Sequence, residues 1–420
     1  MDNPTIRPIL KVMKYNSEIA IVGGGLNGCA LAIALASGGF TVTLIDSLDT
    51  KALKDDHFDG RSYALALASK RLLGALGLWE GLAQNAQPML EIKVTDGRAG
   101  EGASPFWMHF DHAEIEEGPM GFMVEDRHLR RALLDNIEGD DRIAHLTSQT
   151  VVAQDIDQAG ATLTLASGKT IRTRLLVGCD GRQSGVAERA SIARSLKDYG
   201  QTALVAAIGH ELPHNGIAHQ FFMPAGPLAI LPLTGNRCSI VWAETHARAK
   251  ELSQMEDADF ITALRPAFGD FLGDIHVAGA RFSYPLSQTL TEQIIDQRVA
   301  LVGDAAHGIH PIAGQGLNLG LRDVGALAQV LVDARRRGED IGTEAVLNRY
   351  ADWRRFDTTT LAIATNSFNG LFSNDNPLLR AGRDLGMGLV NAVPALRRNF
   401  IREAAGLTGD LPRLLEGRAL

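Results

Sequence analysis

Gly23-Gly24-Gly25-Leu26-Asn27-Gly28 is the first run in this chain whose residue types and spacing could do chemistry. It follows Ile19-Ala20-Ile21-Val22, a short apolar run without a polar break, as a buried parallel strand requires. Gly23 permits a tight bend, Gly25 lets the backbone approach a pyrophosphate, and Gly28 allows close packing of a helix on the strand. The helix is marked by apolar residues at Leu26, Ala30, Ile33 and Ala34, and its N-terminus turns a partial positive charge toward the phosphates. Gly38-Gly39 stops it, and Thr41-Val42-Thr43-Leu44-Ile45 forms a second strand ending on Asp46. An acid ~20 residues after the glycines is placed to meet a ribose hydroxyl. The unit is β-α-β and points to an adenine dinucleotide; the bland alternatives are a glycine turn used only for packing and a plain strand-end charge at Asp46.

Which dinucleotide is decided much later in the chain. Val299-Ala300-Leu301-Val302 runs into Gly303-Asp304-Ala305-Ala306-His307, and then into His310-Pro311-Ile312-Ala313-Gly314-Gln315-Gly316-Leu317-Asn318-Leu319-Gly320. Asp304 can accept a hydrogen bond from a hydroxyl on the cofactor's sugar chain. The Pro311-to-Asn318 loop opens a helix whose free N–H groups can hold the anionic edge of a reduced flavin. An NAD enzyme needs nothing of this kind, so the cofactor expected here is FAD. A third strand, Leu175-Leu176-Val177, ends in Gly178-Cys179-Asp180-Gly181, although Asp-Gly is also a common turn pair. His307 and His310 could assist proton transfer, but hydrogen bonds that order the loop explain them better, and no catalytic acid or base is nominated.

These turns need a scaffold. Residues 191 to about 280 contain short β-rich pieces such as Gln220-Phe221-Phe222-Met223 and Cys238-Ser239-Ile240-Val241-Trp242, separated by Pro and Gly turns. The expected fold class is α/β: a Rossmann-type FAD-binding domain interrupted by a β-rich antiparallel substrate domain, with a C-terminal helical tail. The FAD-binding domain takes 1–80, 118–190 and 281–370, the substrate domain 81–117 and 191–280, and the tail 371–420. His219, with Phe221, Phe222 and Met223, lines either the substrate side or the inner face of the sheet. From Pro377 on, seven Arg and four acids give +3 in a chain of net charge −8. That ending either packs on the domain or turns an apolar face to anionic lipid or a partner.

Composition narrows the classes. The chain has 420 residues, 45% hydrophobic and 21% charged, as in ordinary globular domains, and its negative balance argues against nucleic acid as a partner. Cys29, Cys179 and Cys238 form no Cys-x-x-Cys pair, which fits buried thiols in a reducing compartment and supports neither a metal site nor a disulfide framework. Without a signal-like or membrane-spanning stretch, the expected location is cytoplasmic or peripheral at the inner membrane.

The glycine turn, Asp180-Gly181 and Gly303-Asp304 together resemble the three motifs of the flavoprotein aromatic hydroxylases built like para-hydroxybenzoate hydroxylase. The finer wording is similar to the ubiquinone-biosynthesis hydroxylases, the 2-polyprenylphenol and 2-polyprenyl-6-methoxyphenol hydroxylase type. The runs that carry it are Asp59-Gly60-Arg61-Ser62-Tyr63-Ala64-Leu65, Gly121 to Arg130, His310 to Gly316, and Ala404 to Pro412. The resemblance covers nearly the whole chain, from Glu18 to about Arg413. It implies that Arg61 and Arg127 contact the FAD diphosphate or ribityl region, the alternative being surface salt bridges. Asp304 would meet a ribityl hydroxyl, and Asp180-Gly181 would sit where FAD and the nicotinamide both approach. One departure stands out: Asp126 occupies a position where many members have Asn.

The resemblance also implies the reaction. NAD(P)H reduces FAD without a second dinucleotide motif, O2 adds to the flavin, and the hydroperoxide attacks an electron-rich phenol. The leading expectation is therefore an FAD-dependent monooxygenase hydroxylating a polyprenylated phenol on the route to ubiquinone, with peripheral membrane contact through the tail or a ubiquinone-synthesis complex as partners. A flavin oxidase or reductase of another small molecule, and a non-catalytic flavin-binding subunit of a quinone-synthesis complex, are the alternatives.

Overall fold

Ile19–Val22 is buried at every position in the computed structural model, which describes residues 15–98, 102–308, 315–355 and 393–420. It pairs in parallel with Val42–Ile45 on one side and Leu175–Gly178 on the other. The six-stranded sheet runs Ile295–Asp296, Val299–Leu301, Leu175–Gly178, Ile19–Val22, Val42–Ile45, Ile143–Leu146, and only the Ile295–Asp296 edge is antiparallel. These strands lack polar alternation because both faces are covered. Ile19, Ile21, Val42 and Leu44 meet the helices Leu26–Ser37, Asp126–Glu138 and Gln315–Arg336. Ala20, Val22 and Leu176 meet the three-stranded sheet of Val151–Ile156, Ala161–Leu165 and Thr170–Thr173.

A second, nine-stranded sheet is built around the long strand Arg194–His210, which pairs with Arg237–Thr245 on one edge and Phe282–Thr291 on the other. Its strands obey a period of two. Leu204, Ala206 and Ile208 point under the helices His246–Gln254 and Asp257–Phe268, where Phe260 and Phe268 fill the layer. Burying each of those phenylalanines contributes roughly 1.5–3 kcal/mol. Ala207 and Ala218 face the other way, against Met89, Met123, Phe58 and Ala64 of the nucleotide-type portion. Pairing is antiparallel throughout except between Ile217–Met223 and Glu91–Arg98, which run parallel.

Two segments fall differently from the boundaries drawn on sequence. Phe282–Thr291, assigned to the FAD-binding portion, belongs to the nine-stranded sheet, and its Pro285 sits opposite Thr202 rather than ending the strand. Ala86–Met89, assigned to the substrate portion, pairs with Gly121–Glu125 in a small sheet with Ser62–Ala66. Both boundaries depend on register across the sheets, which local pattern does not carry.

At the chain's end, Pro394–Ala404 is a helix with proline at its start, where the missing N–H costs nothing. Ile401 is buried against Phe110, Met108 and Phe222, while Arg397 and Arg402 pair with Glu114 and Glu117 at 2.7 Å. Leu414 and Leu415 close over the helix Leu67–Ala75. Most of the charge in this part of the basic tail is thus spent on packing; residues 371–392 lie outside the described residues. Among the described residues no helix is long and apolar enough to cross a membrane, and no cluster could hold a metal ion.

Candidate functional site

The glycine turn divides its glycines by cause. Gly23 has φ +106°, donates its N–H to Ile45 O at 2.9 Å, and a Cβ there would lie 2.3 Å from Cys179 O. A Cβ on Gly28 would lie 1.9 Å from Gly23 O. At Gly24 it would meet Asp46 Oδ2 at 2.2 Å, a constraint with no signal in the sequence because the two residues meet only through the strand pairing. Gly25 is different: no atom of the described residues lies within 4 Å of a Cβ built there. It caps Leu26–Ser37 without a side-chain hydrogen bond and without an acid in the first turn. The free N–H groups and dipole of that helix therefore face open space that suits an anion.

Five parallel strands in a row end on this side of the sheet, which is why residues 280 positions apart converge. Asp46 is buried, with Oδ1 accepting from Leu48 N at 2.9 Å. Asp180 accepts from Ser184 Oγ at 2.5 Å and Val186 N at 3.0 Å, so it braces the first turn of the short helix Gly185–Arg189, whose N-cap is Ser184. Gly303 takes φ +64°, and Asp304 Oδ2 accepts from Arg182 Nε at 3.1 Å, linking the second turn to the third. Asn27 of the first turn packs against the third turn and the helix that follows it: a Cβ on Gly303 would lie 2.5 Å from its Nδ2, and one on Gly320 2.2 Å.

Of the long loop, Pro311 and Gly314 lie outside the described residues, as does His310. Gly316 has no described atom within 4 Å of a built Cβ, and Leu317 packs half-buried on the main core. Asn318 is buried and structural in its contacts. Its Oδ1 accepts from Ala66 N at 2.8 Å and Ser69 Oγ at 2.7 Å, and its Nδ2 donates to Ala64 O at 2.8 Å.

Arg61 and Arg127 stand at a second cluster. Arg61 donates to Asp59 Oδ2 at 2.7 Å, lies 3.5 Å from Asp126 and sits over the Phe282 ring. Burial works to raise the Asp59 carboxyl, but the Arg61 hydrogen bond holds it below its ordinary range. Asp126 also accepts from Tyr63 OH at 3.2 Å and Arg130 at 3.0 Å, four polar contacts that an asparagine at this position would match only in part. Buried Glu125 takes Arg127 at 2.8 Å and Arg237, from the nine-stranded sheet, at 2.7 Å, with Phe58 between the two guanidinium groups. Two adjoining clefts, about 70 and 250 Å³, are lined by Arg61, Asp126 and Arg130 and by Lys54 and Arg131, and share Asp55 and Arg127.

Sequence reasoning missed Asp323 and Arg354, whose buried ion pair lies behind the Gly303 turn, and the Phe282–Tyr284 pair beside Arg61. The two aromatics, two apart on one strand, were visible as a period-2 signal. His219 falls on the helix-covered face of the sheet, stacked on Phe221 and 4.5 Å from Phe271. Burial there, with Lys93 adding, pushes its imidazole down to about 4, so it is a neutral, half-buried residue away from the clefts. Burial first, and Asp46 second, push the Cys29 thiol up to about 12, and all three cysteines are free.

Comparison with known proteins agrees with this geometry. The FAD binding domain family matches residues 16–359. The ubiquinone hydroxylase UbiL of Rhodospirillum rubrum is 44% identical over 412 residues, 96% of this chain and 93% of its own. The 3-demethoxyubiquinol 3-hydroxylase of Escherichia coli is 35% identical over 393 residues, 93% and 99% of the two chains. The crystal structure of p-nitrophenol 4-monooxygenase PnpA from Pseudomonas putida DLL-E4 superposes with a TM-score of 0.79 at 18% identity, covering 94% of this chain and 99% of that one.

Proposed function

The chain belongs to the FAD binding domain family, in the branch of the ubiquinone-biosynthesis hydroxylases, and on that premise we propose that it hydroxylates the aromatic ring of a polyprenylated phenol. FAD is its cofactor, NAD(P)H its reductant and O2 its co-substrate. The observation that carries the substrate class is the 44% identity to a ubiquinone hydroxylase across 96% of the chain.

The residues fit FAD. Gly25 leaves room that no described neighbour uses, in front of an uncapped helix N-terminus, and the buried Asn27 Oδ1, without a hydrogen-bond partner among the described residues, lies in the same turn. Gly23, Gly25 and Gly28 would hold the diphosphate and Asp46 a ribose hydroxyl. Arg61 and Arg127, already oriented by Asp59 and Glu125, would reach the diphosphate or ribityl region. Gly303 and Asp304 would take the sugar chain, Asp180 would stand where FAD and the nicotinamide both approach, and Pro311, Gly314, Gly316, Leu317 and Asn318 would take the flavin edge. When bound, the flavin supplies the oxygen transfer: electrons come from NAD(P)H, one oxygen atom enters the ring and the other leaves as water. The protein's part is to orient the ring and exclude water, which requires no paired carboxylates and no Ser-His-Asp set.

The test follows NAD(P)H under air with the FAD-loaded protein. A prenylated phenol should stimulate its oxidation and return one oxygen heavier. Stimulated oxidation that leaves the phenol unchanged would favour an oxidase or reductase, and a yellow protein that never oxidises NAD(P)H would favour a non-catalytic subunit of a quinone-synthesis complex.

A prenylated substrate resides in lipid, so contact with a membrane surface is part of the proposal. Its support is the helix Pro394–Ala404, where Leu396 and Phe400, one turn apart on the same face, are 41% and 40% exposed. An apolar face on a basic helix suits anionic lipid. Leu396→Glu with Phe400→Glu should reduce sedimentation with anionic phospholipid vesicles about tenfold or more while FAD content stays at the wild-type level. Vesicle binding that survives the double change would remove this helix from the proposal.

A further inference from the structure

We propose that Asp323, in the middle of the Gln315–Arg336 helix, is the positioning residue for the Gly303-Asp304 turn and hence for the cofactor's sugar chain. The inference rests on the FAD assignment above and concerns a residue that touches neither cofactor nor substrate.

Asp323 is wholly buried, and three groups from two separate stretches of chain, the Gly303–His307 turn and Arg354, converge on it. Gly303 N donates to Oδ2 at 2.9 Å, His307 Nε2 lies 2.7 Å from the same oxygen, and Arg354 Nε donates to Oδ1 at 2.6 Å. The side chains of His307 and Arg354 are each 1% exposed, so ionisable groups are sealed inside an otherwise apolar layer. Burial works to raise the Asp323 carboxyl, yet the His307 and Arg354 charges hold it below its ordinary value. It is an anion in place.

Such a cluster is a poor way to stabilise a core. Well-packed apolar side chains of the same volume often do as well or better, because desolvating ions is expensive. What it achieves here is directional. The bond to Gly303 N is aimed at the one residue of the turn with a positive φ, and the opposite side of that residue is closed by Asn27 Nδ2, 2.5 Å from where a Cβ would stand. Gly303 is therefore held from behind by Asp323 and in front by Asn27, and the next residue, Asp304, inherits its direction. The helix that supplies Asp323 also begins with Gln315-Gly316-Leu317-Asn318. One rigid element thus sets both the sugar-chain turn and the entry to the flavin loop.

The experiment compares Asp323→Asn with Leu264→Ala, a core truncation under the far sheet, matched by melting temperature without FAD. Asparagine keeps the shape but cannot accept from Gly303, His307 and Arg354 together. Its FAD dissociation constant should rise about ten- to a hundredfold, with a shifted visible absorption band of whatever flavin remains bound. Leu264→Ala should melt earlier yet bind FAD with wild-type affinity and spectrum. If Asp323→Asn does not fold, Arg354→Lys, which loosens the partner of Asp323 Oδ1 without touching the turn, carries the same test, with weakened FAD at a matched melting temperature. Unchanged affinity and spectrum in Asp323→Asn, or in Arg354→Lys where that variant stands in, would overturn the proposal, as would equal FAD loss in Leu264→Ala. The wild-type titration separates the two levels: a wild-type chain that takes up no FAD would overturn the cofactor assignment and this inference with it.

Discussion

Gly25→Ala is expected to leave the fold standing and to weaken FAD roughly 10- to 100-fold. Its φ of −69° is open to any residue, and no described atom lies within 4 Å of the added methyl, so nothing among the described residues opposes alanine. The methyl intrudes only on whatever approaches the helix N-terminus, and overpacking by one carbon costs about 1–3 kcal/mol. Gly23→Ala and Gly28→Ala should behave differently. The first forces a side chain into φ +106° and onto Cys179 O; the second drives a methyl to within 1.9 Å of Gly23 O. Strain of that kind costs roughly 1–3 kcal/mol or more in the apoprotein alone. Melting without FAD, followed by FAD titration, separates the cases. Gly25→Ala with wild-type FAD affinity would mean that the open space in front of that helix is not where the diphosphate goes.

The second large effect is at Asn318. Alanine there strands Ala66 N, Ser69 Oγ and Ala64 O in the interior, and each buried group left without a partner costs about 1–3 kcal/mol. With partial relaxation we expect ~2–5 kcal/mol in total, read as a lower denaturant midpoint with the slope unchanged. Asn318→Asp should not rescue it, because the donor to Ala64 O becomes a carboxylate oxygen. Unlike Gly25→Ala, both changes should lose stability and FAD together. A midpoint within experimental error of wild type would show that the amide does not join this helix to the Ser62–Ala66 strand.

The contrast between these residues explains how far the sequence could be read. Strand, turn, helix and acid lie within 28 residues, and each leaves a local pattern, so the Ile19-to-Asp46 unit was legible without coordinates. Asn318 was legible as part of the flavin loop, but its side chain serves the junction with a strand some 250 residues earlier. Gly24 and Asp323 left no local mark, because what constrains them arrives from other strands through pairing and packing. The extent of the large sheet was misjudged for the same reason: Phe282–Thr291 reads like many short strands, and only its register with Arg194–His210 assigns it. His219 looked chemical by residue type. Its side of the strand, which a single residue of register decides, put it half-buried against Phe271, away from the clefts.

The most direct test of the hydroxylase assignment is to run the FAD-loaded protein with NAD(P)H and a prenylated phenol under isotopically labelled dioxygen. The account predicts one labelled oxygen in a new ring hydroxyl, formed in step with NAD(P)H consumption. Consumption of NAD(P)H with the label only in peroxide or water, and the phenol recovered unchanged, would contradict it.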